Sequence, residues 1–345
     1  MFEFYSHDEI DLLIKMIEYK EYDKQFELNS YHQLKDSKVD VTFYDAGHVL
    51  GSAGILLENN NHKIFYSGDI NLTDQTIQSK AKLPKHKIDT LILETTYGAT
   101  DSDLLLNWQE ESLRFAKEAN KILNNGGSIL IPVFSLGKMQ EMLATIWLLM
   151  QKSKLTTVDI YTGGIGTKIN RVYDYNRYVV DRIDKEFELS SIPQKDYYEI
   201  TSSEEFFSHP CIVLASSGMM IKNTASYNFA KRFLRQNNSA IFTVGYMEPE
   251  SPGYLIANSK RGNKIQLSDF DEAIEVKCEI KNFKFSAHAR REDLLKIVDK
   301  LKPDNVILTH GDDEAIDWVG SSILKKHKKI RLLIAEIGKE LKIFN

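Results

Sequence analysis

Residues 39–69 read VDVTFYDAGHVLGSAGILLENNNHKIFYSGD, and this stretch decides the fold. Val39, Val41 and Phe43 alternate with polar partners, the period-two signature of a strand with one buried face, and Asp45-Ala46-Gly47 stops the run in a turn. Ala53–Glu58 reads as a second strand, Asn59-Asn60-Asn61 as a turn and 63–67 as the returning strand. An antiparallel hairpin of equal arms closes on itself, so Asp69 is expected beside Gly51 and Ser52, close to His48. Neither the strand pattern nor the turn requires a histidine or an aspartate at those two places.

Working outward, 90–94 (TLILE) is a short apolar strand of the fully buried kind, and 8–17 (DEIDLLIKMI) is a helix with Leu12, Leu13, Met16 and Ile17 on one face. From about 100 the pattern changes. A helix over about 106–124 leads through Gly126-Gly127 to the strand SILIPVF, then a helix over 137–150, a strand over 158–161 and a helix over about 166–180. PCIVLAS, a helix over about 223–235 and AIFTVGY follow. Strands alternating with helices imply a parallel sheet covered on both faces. The chain then returns to a strand (FKFSA), a helix over Arg291–Leu301, a strand (NVILT) and a final helix–strand pair. The expected class is therefore α/β, with a doubly wound block set inside a domain whose two halves flank it, and boundaries near 100 and 283. Met139, Met142, Leu143 and Ile146 have core-facing helical spacing.

A chain of 345 residues and 39.6 kDa fits two domains, and 42% apolar with 27% charged residues is ordinary globular composition. The apolar run at 143–150 falls far short of the roughly 20 residues that a membrane span needs. No basic region followed by an apolar stretch opens the chain, so neither a secretory leader nor a membrane partner is expected. Cys211 and Cys278 are too few for a disulfide framework and fit a reducing compartment, here the cytoplasm. A net charge of −5 argues against coating nucleic acid by bulk charge, while leaving room for a local basic groove.

Functional groups of layered α/β proteins collect at strand ends. Here they are chemically uniform: His48 after 39–45, Asp69 after 63–67, Glu94 closing 90–94, His288 after FKFSA and His310 after NVILT. Imidazole with carboxylate is a ligand set for a borderline divalent metal such as zinc, and a water bridged between two such ions loses its proton near neutral pH. Singly, each of these residues is more often a capping or surface group. His62, His86 and His327 are assigned to solvent, and His7, His32 and His209 have no informative context.

GHVLGSAGILLE, YSGD, LETTYG, LIPVFSLGKMQEML, ASSGMM, FSAHA and LTHGD, in that order over about 38–311, resemble the β-CASP branch of the metallo-β-lactamase superfamily. The likeness is to its RNA-processing nucleases, the polyadenylation endonuclease and RNase J. It implies a partial αββα metallo-β-lactamase sandwich over 1–98 and 284–345, interrupted by an inserted β-CASP domain over 99–283. It implies His48, Asp69 and His310 as metal ligands, with Asp69 shared between two zinc ions. Glu94 is implied as the partner that orients His288, and His288 as the acid that protonates the leaving oxygen. Ser216, Ser217 and Gly218 are implied to border the substrate path. Single-stranded RNA is the implied partner, with DNA also open, and Lys168, Arg171, Tyr173, Tyr175, Lys231, Arg232 and Arg235 are available to line a groove.

One element of the family pattern is absent. The family opens with HxHxDH, and no two histidines of this sequence stand two residues apart. The missing ligands are expected upstream of Met1 or on another chain, whether a second copy or a different protein. The lactamase sheet is expected to show an exposed edge or an incomplete sandwich. Arg290 also stands where relatives carry Asp, and TGGIGTKIN replaces a Ser-Pro-Met-like element. The expected function is zinc-dependent hydrolysis of RNA phosphodiester bonds, with little turnover by this polypeptide alone. The alternative is a non-catalytic RNA- or protein-binding subunit of an RNA-processing complex. A small-molecule hydrolase is disfavoured by the long insertion and the His288/Glu94 pair.

Overall fold

The computed structural model describes residues 5–28, 38–59, 62–200 and 206–343; His32, Asn60 and Asn61 lie outside these ranges. Among the described residues one sheet has seven strands. Their spatial order is Gln25–Leu28, Val39–Asp45, Ala53–Glu58, Lys63–Tyr66, Thr90–Glu94, Asn305–Thr309 and Arg331–Ile334. The first four strands form antiparallel pairs, and the remaining pairings are parallel. Strands from both ends of the chain thus meet where Thr90–Glu94 pairs with Asn305–Thr309.

The faces of this sheet differ. Leu56, Phe65, Leu91 and Val306, in register across four strands, are completely buried. They pack with Leu294, Ile297 and Val298 of the helix Arg291–Leu301 and with Val319 and Ile323 of the helix Asp313–Lys326. On the other face the aligned row is Phe43, Ile55, Tyr66, Ile92, Ile307 and Leu333. Tyr66 in this row is 41% exposed. A sheet covered on one side by helices, with an apolar and partly open row on the other, is the half-built sandwich expected from the sequence.

The second sheet has six strands, all parallel, in the order Glu279–Asn282, Ala240–Thr243, Ile129–Pro132, Cys211–Ala215, Asp159–Thr162 and Lys195–Asp196. Its central strands are buried on both faces, as uninterrupted apolar runs require. Met139, Met142, Leu143 and Ile146 of the helix Lys138–Gln151 are completely buried against one face.

Two local expectations need correction. FKFSA is not a strand; the strand is Glu279–Asn282 just before it. Phe283 and Phe285 are buried in the helix-covered core, while the carbonyls of Phe285 and Ala287 accept bonds from side chains instead of a ladder. The helix expected over 166–180 ends at Tyr175, where Asn176 bonds back to the Val172 carbonyl. The N-terminal helix His7–Met16 forms, with Ser6 and Glu9 in a reciprocal capping box, yet Leu12, Leu13, Met16 and Ile17 are all exposed.

Candidate metal and catalytic centre

His48 lies in the turn after Val39–Asp45. Ser52 Oγ accepts from the backbone N–H groups of His48 and Val49, and Gln75 Nε2 donates to the carbonyls of Gly47 and His48. Leu50 N–H donates to the Tyr173 hydroxyl at 3.1 Å. Gly47 is required in this turn, since its φ is +68° and a Cβ would lie 2.5 Å from Ala81 N. The His48 ring Nδ1 lies 2.8 Å from the Ala287 carbonyl. A carbonyl only accepts, so Nδ1 carries the proton and Nε2 keeps its lone pair, the arrangement a metal-binding imidazole needs. That Nε2 is 3.9 Å from Asp69 Oδ2.

Asp69 is the hub. Its other oxygen, Oδ1, is 3.1 Å from His310 Nδ1. His310 follows the strand Asn305–Thr309 in a left-handed conformation, φ +54°, uncommon for a residue other than glycine. The Thr96 hydroxyl lies 3.1 Å from the same Nδ1 and donates to the His310 carbonyl.

Glu94 is 1% exposed. Its Oε1 accepts from Ile70 N–H at 2.9 Å and meets His288 Nδ1 at 3.0 Å, while Oε2 accepts from Thr96 N–H at 3.1 Å. Burial pushes this carboxyl up, but the His288 contact and the two backbone donors outweigh it and hold Glu94 below its ordinary value. Burial, together with the neighbouring His288, pushes His48 below the usual imidazole value. The rings of His48 and His288 are 4.5 Å apart, and those of His288 and His310 are 6.1 Å apart.

The structure therefore brings His48, Asp69, Glu94, His288 and His310 to one place from four separate segments. Donor atoms of His48, Asp69 and His288 all lie within 4.8 Å of one another, a grouping that does not include the expected ligand His310. The three imidazoles line a cleft of about 500 Å³, together with Tyr97, Phe134, Lys138, Tyr246 and Phe285, while Asp69 and Glu94 stand behind them.

Ser216, Ser217 and Gly218 do not line this cleft. They form the turn after Cys211–Ala215, where Ser217 Oγ accepts from Ile221 N–H. A Cβ at Gly218 would meet the Phe134 ring at 2.9 Å, so the turn supports a ring that does line the cleft. Two groove candidates are not free. Tyr173 is 1% exposed, its hydroxyl committed to Leu50, and Lys231 is paired with Asp271. His327 is not a free solvent group either, because its Nε2 lies 2.8 Å from Asp299. Thr96, Tyr97, Phe134 and Lys138 all fall inside the quoted motifs, which would have been the signal, yet nothing in their spacing marked them as cleft residues.

Residues 139–256 match the family model described as Beta-Casp domain, and residues 273–333 that described as Zn-dependent metallo-hydrolase RNA specificity domain. Among curated proteins the chain is 31% identical to an RNase J-like protein of Methanocaldococcus jannaschii, covering 83% of this chain and 67% of that one. It is 28% identical to an Integrator complex subunit 11 homolog of Dictyostelium discoideum, over 88% of this chain and 42% of the relative. Cleavage and polyadenylation specificity factor subunit 3 of the same organism is 27% identical over 95% of this chain and 41% of its own length. The chain thus spans two thirds of the first relative and less than half of the other two. Motif order, the two-layer architecture and these similarities agree that the chain belongs to the β-CASP metallo-β-lactamase family of RNA-processing nucleases.

Proposed function

We propose that this protein is the β-CASP and ligand-bearing part of a zinc-dependent hydrolase of phosphodiester bonds in single-stranded RNA. The observation that carries the reading is the convergence of His48, Asp69 and His310 with the His288–Glu94 pair, whose three imidazoles line one cleft. The donor set fits a divalent metal: His48 has its Nδ1 committed to Ala287, and both Asp69 oxygens face imidazoles. His48, Asp69 and His310 would hold the ion. Such an ion polarises a phosphoryl oxygen and makes bound water nucleophilic at neutral pH. Two ions need more ligands than these three, so the full centre draws the rest from residues outside this sequence or from a second chain.

The other roles belong to the chain itself. Glu94 accepts the Nδ1–H bond of His288 and fixes the ring, leaving Nε2 without this partner. As the imidazolium, His288 donates from Nε2 to the departing sugar oxygen, a step worth roughly 10²–10⁴ in rate. Tyr97, Phe134 and Tyr246 give the cleft aromatic faces on which unpaired bases stack. We read 99–283 as the inserted domain and the flanking segments as the lactamase-like one. Ser216, Ser217 and Gly218 act on the substrate path through Phe134. Cys211 and Cys278 are free and buried, and burial raises their thiols to about 11 and about 12, which suits a reducing compartment such as the cytoplasm. Among the described residues no helix is long and apolar enough to cross a membrane.

The test is a pair of variants in the protein extended to include the missing ligands, with bound zinc and cleavage of single-stranded RNA both measured. Asp69→Ala should lose metal and cleavage together, and His288→Ala should keep metal and lose cleavage. Equal metal loss in both would reject the division of roles, and cleavage that persists in a chelator would reject metal dependence.

A further inference from the structure

Lys138 opens the helix Lys138–Gln151 and forms part of the cleft wall, yet it is only 9% exposed. Its ammonium donates to the Phe285 carbonyl and lies 5.0 Å from the centre of the Trp108 ring. Among the described residues no carboxylate comes within ion-pair distance of it. Three N–H donors and a full charge therefore stand in a largely apolar wall with one carbonyl as hydrogen-bond partner. The only carboxylate acting on it is Glu141, through space and without a hydrogen bond, so burying the ammonium is only partly offset, and a hydrocarbon side chain of similar length would fill the same volume without that cost. Burial pushes the Lys138 ammonium down to about 8 against the opposing pull of Glu141.

The surroundings favour an anion. Lys138 sits in the first turn of a 14-residue helix, the positive end of the helix dipole, and Glu141 one turn on gives both its oxygens to the backbone N–H groups of Thr76, Ile77 and Gln78. The carbonyl that holds Lys138 (Phe285) and the one that holds His48 (Ala287) are two residues apart, a reach of at most about 7 Å. Lys138 makes no bond with His48, Asp69, Glu94, His288 or His310. It is therefore near the metal-binding groups but separate from them.

We propose that Lys138 is a substrate-binding residue that takes a backbone phosphate of single-stranded RNA next to the one being cleaved. The inference rests on the reading of the cleft as an RNA site, and binding tests it without requiring turnover. The 345-residue chain is titrated, in chelator, into a short labelled oligouridylate at several salt concentrations. Lys138→Gln, which keeps a donor for Phe285 but no charge, should weaken binding about tenfold or more, as loss of a charge-assisted bond predicts. It should also flatten the log–log salt slope by about 0.7. Lys138→Arg should keep both properties near wild type, and the melting temperature of Lys138→Gln should equal or exceed that of wild type.

Unchanged affinity and slope in Lys138→Gln would overturn the proposal, as would an affinity loss accompanied by a fall in melting temperature, which would mark a structural role. Oligonucleotides with a 5′-hydroxyl and a 5′-phosphate should suffer the same loss; a loss confined to the phosphorylated one would make this a terminal-phosphate site instead. If wild type itself fails to bind RNA, it is the functional reading of the cleft that falls.

Discussion

Replacing Glu94 offers a measure of how firmly the His288 side of the centre is built. In Glu94→Ala the backbone N–H groups of Ile70 and Thr96 lose their acceptor, and His288 Nδ1 loses its partner. Each buried donor left unpaired costs about 1–3 kcal/mol, so the chain should lose about 3–5 kcal/mol by urea unfolding. Glu94→Gln keeps one acceptor oxygen, but its amide must face one of the donors, so about 1–3 kcal/mol is expected. The two variants also differ in how wild type compares with them as pH changes. The folded-state value of Glu94 lies below the ordinary 4.5, so the ionised form stabilises the fold. That stabilisation is fully present above about pH 4.5 and is lost as pH falls through the lower folded value. Glutamine does not titrate. The advantage of wild type over Glu94→Gln should therefore shrink as pH falls below about 4.5. A loss under 1 kcal/mol for Glu94→Ala, or a wild-type advantage over Glu94→Gln that grows below about pH 4.5, would refute this account of the pair.

Two further substitutions probe the frame around the centre. Gly311→Ala would set a Cβ 2.2 Å from Thr95 Oγ1 and 3.0 Å from the Thr95 carbonyl oxygen, directly after His310. It should displace that ring and weaken zinc binding at least tenfold in a competition titration, and an unchanged affinity would show that His310 is not a ligand. Glu141 carries three backbone N–H bonds at 2.8, 2.8 and 2.9 Å from residues 76–78. Glu141→Gln turns one acceptor into a donor facing a donor and should cost about 2–4 kcal/mol in denaturant, whereas a cost near zero would mean that the segment 76–78 is held by something else.

Much of this arrangement was legible along the chain because it obeys short-range rules. The hairpin that brings Asp69 to His48 follows from two strand-period segments and an asparagine turn. The parallel block follows from apolar runs alternating with helical spacing. What stayed hidden depends on partners far apart in the chain. FKFSA has strand-like alternation, but its carbonyls serve Lys138 and His48 instead of a neighbouring strand, and no local pattern announces that. Tyr173 reads as an exposed groove aromatic on a polar helix. Only the fold shows its hydroxyl receiving Leu50 N–H, 123 positions away. The helix His7–Met16 was legible as a helix, since its capping box is local, while the exposure of its apolar face was not.

The hidden contacts share a direction: groups from the parallel-sheet layer reach across to the turns that carry the metal-binding side chains. Tyr173 holds Leu50, two residues from His48. Glu141 holds 76–78, and Gln75 beside them donates to the His48 carbonyl. Lys138 holds Phe285, three residues before His288, and Arg114 holds Asn282 where the chain leaves that sheet. A domain that merely covered the cleft would make contacts around its rim. Here two of the contacts fall within three residues of His48 and of His288. Because a bond to a loop backbone constrains both position and direction, a shift of one layer against the other strains the supports of His48 and His288, which draw on both layers, more than those of His310. The geometry of the candidate centre is thus a property of the interface between the layers, and substitutions such as Glu141→Gln should register at the metal site as well as in stability.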